Sequence, residues 1–218
     1  MSTVNVTNQT NTRNESSRFS RENKMSKNKK MAVTAMLAAI ATILMYLSFP
    51  VPLMPGFIKL DFSELPALLA SYIVGPVAGI AVCFVKNLIN LPATTTLGVG
   101  ELCNFLLGVA FVLPAGLIYK KKRTFKGAIL GAVVGCISMA VLSVPINYFI
   151  SYPAYVNIMG FPMPSIIGEY AKINKNIDSL IQALIIFNVP FTLIKGAINV
   201  LLTFLIYKPL SSFIKGNH

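Results

Sequence analysis

Lys195 stands inside an apolar run, NVPFTLIKGAINVLLTFLIY over residues 188–207, with Asn188, Thr192 and Asn199 around it. These positions recur at helical spacing, so all four side chains fall on one stripe of a helix. In lipid such a stripe must face protein or a water-filled cavity, because its donors would otherwise lack partners. Interhelical hydrogen bonding is the favoured reading of Asn188 or Asn199 taken singly. The lysine is different. About a dozen apolar-rich residues on its C-terminal side keep the ammonium from reaching an interface, which marks it as a functional residue.

Other polar groups recur in the same way. Ser143, Asn147 and Ser151 form a second stripe, with Tyr148, Tyr152 and Tyr155 close by. Small hydroxyls and an amide beside aromatic rings suit a ligand with a flat ring and a polar tail. An aromatic belt at the membrane surface explains the tyrosines equally well. KLDFSELP, residues 59–66, sets Asp61, Ser63 and Glu64 where a helix should start, with Ser63 as the expected N-cap. TTTLGVGELCNFLLG, residues 94–108, places Glu101, Asn104 and Gly108 on one helical face. Lys86, Asn87 and Asn90 end the preceding apolar segment, so a buried Lys86–Glu101 ion pair is expected. Gly127, Gly131 and Gly135 repeat every fourth residue, as do Ala35 and Ala39, a spacing that lets helices approach closely. For the glycines, packing within the bundle is the favoured role.

The elements that must position these groups are membrane helices. The chain has 218 residues, 55% of them hydrophobic and only 12% charged, with a mean hydropathy of +0.68. A soluble domain carries about twice that charged fraction. Apolar spans are expected at about 31–48, 64–74, 77–91, 99–119, 127–150 and 180–207. The second and third are short for a full crossing, as tilted helices or helices covered by others would be. A structured loop rich in proline joins the first two, and residues 151–178 form the longest polar stretch of the body.

The formal net charge of +12 does not imply nucleic-acid binding. Of 19 Lys and Arg, seven lie in residues 1–30, five in the 120–126 loop, and two are Lys208 and Lys215. Six spans put these clusters on one side, which the positive-inside rule makes cytoplasmic together with both termini. Cys83, Cys103 and Cys136 lie in apolar segments without metal or disulfide spacing and read as packing residues. The single histidine is His218, so no Ser–His or Cys–His dyad is available in the body, and no P-loop occurs. These absences argue against an enzyme. The expected organisation is a disordered basic tail (1–28), a six-helix transmembrane substrate-binding domain (29–210) and a short cytoplasmic tail (211–218).

Four stretches together carry a family likeness: AMLAA (35–39), FIKLDFSELPALL (57–69), VGELCNFLLG (99–108) and PFTLIKG (190–196). In these the chain resembles the substrate-binding S component of energy-coupling factor (ECF) vitamin transporters, of the riboflavin-specific RibU type. The resemblance implies an all-α, six-transmembrane-helix bundle in the plasma membrane, with riboflavin as transported ligand and no cofactor. It implies as partners a transmembrane coupling subunit and two cytoplasmic ATPases. Ala35 and Ala39 match the alanine motif that meets the coupling subunit. Lys195 matches a lysine that hydrogen-bonds the flavin, and Asn147 an asparagine of the pocket. Similar proteins often carry Asn where Thr192 stands, and threonine has the shorter reach. The candidate substrate-binding set is Lys195, Asn147, Thr192, Asn188, Asn199, Glu101, Asn104, Asp61 and Leu60. The loop at 50–60 matches one that covers the bound vitamin. Alternatives are an S component for another vitamin or a stand-alone secondary transporter, although no convincing internal repeat is present. A membrane enzyme for lipid substrates would need more than the sparse Glu101 and Asp61.

Overall fold

The computed structural model describes residues 25–215 except residues 53 and 57, with side chains through residue 206. Most of the tail expected over residues 1–28 lies outside this range. The chain divides into two units, Met1–Val33 and Thr34–His218. The described part of the first is the opening of helix α1 (Lys27–Tyr46), where Ser26 Oγ accepts the Lys29 N–H at 3.3 Å.

The second unit is a helix bundle. A short antiparallel pair, β1 (Phe49–Pro50) and β2 (Lys59–Leu60), closes the loop after α1, with Phe49 opposite Leu60. Then come α2 (Glu64–Ile73), α3 (Pro76–Asn90), α4 (Val99–Lys121) and α5 (Phe125–Ile146). Short α6 (Tyr152–Asn157) and α7 (Met163–Ala171) fill the polar stretch, and α8 (Leu180–Ala183) leads into α9 (Val189–Lys215).

Among the described residues, five helical segments are long and apolar enough to cross a membrane. The sixth expected span is α2, whose ten residues rise only about 15 Å, half of a hydrocarbon core. Sheathed by α3, α4 and α9, with all but one of its residues buried, it meets protein rather than lipid along its length.

The glycine repeat does what its spacing predicts. A Cβ on Gly131 would stand 2.6 Å from Ala115 O, and one on Gly135 would collide with Phe111 O, so α5 lies backbone to backbone on α4.

Two helices carry a wide π turn beside a proline. Asn147–Ser151 lies between Pro145 and Pro153, with the Tyr152 N–H reaching back to Asn147 O. Leu184–Asn188 precedes Pro190, with the Val189 N–H reaching back to Leu184 O. Proline has no N–H to donate, so a carbonyl one turn back is released and the helix can accommodate the extra residue. Each π turn re-aims an asparagine, and both asparagines face the same chamber.

Candidate functional site

The chamber has a volume of about 340 Å³ and is partly open. That lies at the lower end of the range typical of small-molecule pockets. Lys195, Thr192, Asn188 and Asn147 line it together, although they come from two distant segments of sequence. Asp61, Glu101 and Asn104 also line it. Leu60 and Asn199 do not. Leu60 turns into the protein while its neighbours Lys59 and Asp61 take the chamber side. Asn199 lies one turn below, fully buried, its amide donating to Lys195 O at 2.9 Å.

Lys195 does not stand unpaired in the apolar helix. Its Nζ is 2.9 Å from Asp61 Oδ2 and 3.2 Å from Glu64 Oε2. Glu64 Oε1 in turn accepts from Lys86 Nζ at 2.9 Å, and Lys86 is wholly buried. Ser63 Oγ accepts from Lys86 and donates to Asp61 Oδ1. Two lysines and two carboxylates thus form a closed cluster whose charges cancel. This cancellation allows four ionised groups to persist away from water. Burial alone would raise the Asp61 carboxyl, but the ammonium groups of Lys195 and Lys86 and the Ser63 hydroxyl outweigh it. They hold Asp61 well below the usual carboxylate range.

Two expectations need correction. Lys86 does not pair with Glu101, because the α2 acid Glu64 takes it. Glu101 instead accepts from Asn90 Nδ2 at 2.9 Å and Thr94 Oγ1 at 2.7 Å. Nor does Ser63 cap α2 with its side chain. Asp61 Oδ1 accepts the Ser63 N–H at 2.9 Å and the Ser63 hydroxyl, so the acid orders the helix start.

The remaining lining is held by hydrogen bonds from behind. Asn147 Nδ2 donates to Ser143 O at 2.7 Å, and its Oδ1 accepts from Ser151 Oγ at 2.9 Å. Ser143 itself lies behind the chamber, bonded to Ala140 O. Asn188 Oδ1 accepts from Tyr170 OH at 2.9 Å, and Tyr170 is bonded to Tyr152. The Thr192 hydroxyl, which belongs to the lining, has no hydrogen-bond partner among the described residues and is an open donor. Phe191, Tyr152 and Tyr155 give the chamber aromatic surface, whereas Tyr148 is exposed. Tyr152 and Tyr155 thus line the chamber, and Tyr148 does not.

Several contributors were not read from sequence. Tyr170 holds Asn188 from the 151–178 stretch. Thr94 and Thr96 fix Glu101, and Cys103 both lines the chamber and contacts Ser151. The flanking prolines of the π turns were the available signal for the asparagine positions. Nothing local marks Tyr170.

A family model for the substrate-specific component of ECF transporters matches residues 29–207. The chain belongs to this family. The S component is 38% identical over 173 residues to the riboflavin transporter RibU of Staphylococcus aureus (strain TCH60), an alignment covering 79% of this chain and 85% of that protein. It is 34% identical over 177 residues to the riboflavin transporter FmnP of Bacillus subtilis (strain 168), covering 79% and 87%. A solved S component of a bacterial ECF transporter superposes with a TM-score of 0.69 at 36% identity, covering 87% of this chain and 99% of that one. The all-α architecture expected from sequence is that of the family. In this S component Ala35 and Ala39 lie on an exposed face of α1, away from the buried Leu37, Ala38, Ala41 and Thr42.

Proposed function

We propose that the chain captures riboflavin in this chamber and delivers it for uptake as the S component of an ECF transporter in the plasma membrane. The observation that carries this reading is the convergence of Lys195, Thr192, Asn188 and Asn147 on one aromatic-lined chamber. Riboflavin has a flat apolar ring system, carbonyl and ring-nitrogen acceptors along one edge, and a hydroxylated chain. The open donor of Thr192, with the Asn188 amide and the Lys195 ammonium, suits that ring edge. Phe191, Tyr152 and Tyr155 suit its faces. Lys195 is already balanced by Asp61 and Glu64, so a neutral ligand can accept from it without importing charge.

Binding and transport, rather than catalysis, are the role of this chain. The energy comes from partner chains, a transmembrane coupling subunit and two cytoplasmic ATPases. The exposed Ala35 and Ala39 offer the coupling subunit a shallow face for close helix contact. The basic clusters support a cytoplasmic side for both termini and the 120–126 loop, with the β1–β2 loop outside as the cover of the chamber.

Purifying the full chain from riboflavin-fed cells tests this. The protein should be yellow and release a fluorescent flavin on denaturation. A colourless protein whose unfolding temperature rises with another vitamin, and not with added riboflavin, overturns it.

A further inference from the structure

One charged group of the chamber lacks a counter-charge. Glu101, in the first turn of α4 and 7% exposed, lines the chamber, and every donor that reaches it is neutral. Asn90 Nδ2 donates to Oε1 at 2.9 Å, while Thr94 Oγ1 and Thr96 Oγ1 donate to Oε2 at 2.7 and 3.3 Å. Among the described residues no cation pairs with it. The other buried charges of the lining, Lys195, Asp61 and Glu64, are balanced within the cluster completed by Lys86. Lys59 is exposed, where solvent and salt screen it.

The threonines also serve the helix start. Thr94 Oγ1 accepts the Gly98 N–H at 3.2 Å, and Thr96 Oγ1 accepts the Gly100 N–H at 3.0 Å. Free N–H groups and the positive end of a helix dipole attract phosphates. Here these two N–H groups are taken by hydroxyls that point their own protons at Glu101. The start of α4 therefore already serves a resident anion.

We propose that Glu101 is a specificity-determining residue, accepting hydroxyls of the ligand's neutral polyol chain and disfavouring a phosphate ester at the end of that chain. The inference rests on the riboflavin reading of the chamber. A carboxylate has more lone pairs than its three donors occupy, so a polyol hydroxyl can donate to it. A phosphate monoester would bring a charge of about −1.5 to −2 toward an uncompensated carboxylate where screening is weak, and would find the Gly98 and Gly100 N–H groups occupied.

The test measures dissociation constants of the purified full chain for riboflavin and for riboflavin 5′-phosphate. The parent is compared with Glu101→Gln, which removes the charge and keeps the shape, and Glu101→Asp, which keeps the charge. The parent should prefer riboflavin. In Glu101→Gln riboflavin should bind more weakly and the phosphate more tightly, shifting the ratio of constants at least about tenfold. Glu101→Asp should retain the parent's preference. If Glu101→Gln does not fold, Glu101→Ala is read the same way. A purely structural role would move both ligands in one direction, so an unchanged ratio overturns the proposal, as does a parent that binds both ligands equally. A parent that binds neither flavin overturns the riboflavin reading and this proposal with it. Riboflavin binding with an unaltered ratio overturns this proposal alone.

Discussion

Replacing Lys195 with methionine keeps most of the stem and removes the ammonium, leaving Asp61 and Glu64 with only Lys86 between them. At an effective dielectric of about 20, the gross attraction lost is about 6 kcal/mol toward Asp61 at 2.9 Å and about 5 kcal/mol toward Glu64 at 3.2 Å. The cost of taking these charges from water offsets much of it. Removing one member of a buried ion pair costs about 3–5 kcal/mol net, and thermal unfolding in detergent should fall by about 10 °C. Adding Asp61→Asn to Lys195→Met restores neutrality and should recover most of that stability. Affinity for riboflavin should not recover, because the donor is still missing. A hydrogen bond to a charged group contributes about 1.5–3 kcal/mol, so binding should stay about 10- to 150-fold weaker by fluorescence titration. If Lys195→Met unfolds with the parent and the second substitution adds nothing, charge cancellation is not what makes Lys195 tolerable. If Lys195→Met binds riboflavin as tightly as the parent, Lys195 is not a flavin donor.

The other expectations are simpler to test. Asp61 has a depressed carboxyl, so its stabilisation is present above the ordinary value of 3.8 and is lost only as pH falls toward the lower folded value. The stability difference between parent and Asp61→Asn should hold steady from about pH 8 to about pH 5, and a difference that vanishes within that window contradicts the cluster. Tyr170→Phe removes the donor that fixes Asn188 Oδ1 and should weaken riboflavin binding by about 1 kcal/mol, roughly fivefold. Titration showing unchanged affinity would mean that Asn188 is oriented by something else. Leucine at both Ala35 and Ala39 should leave riboflavin binding intact while abolishing co-purification with the coupling subunit. Persistence of the assembled transporter would place the interface elsewhere.

Much of this arrangement is legible in the chain because lipid makes polar groups conspicuous. Lys195 and its stripe stand out since an intramembrane charge needs a reason, and the reason lies in KLDFSELP, over a hundred positions earlier. Spacing could not foretell which acid meets which lysine. The spacing pointed Lys86 to Glu101, whereas the close packing of α2 against α3 gives it Glu64. Asn199 fits the stripe by period but lies a turn too deep, beneath the chamber floor. The ten-residue α2 is short for a span because protein surrounds it, and apolarity in sequence marks burial by protein as readily as burial by lipid. Tyr170 was hidden for the opposite reason. Its stretch reads as polar loop, and only the folded chain brings its hydroxyl to Asn188.

A crystal structure of the purified chain with riboflavin tests the central claim most directly. The flavin ring should occupy the chamber, with acceptors within about 3 Å of Lys195 Nζ and of the Thr192 hydroxyl or Asn188 amide. A flavin seated elsewhere, with these groups still engaged only by protein, would contradict it.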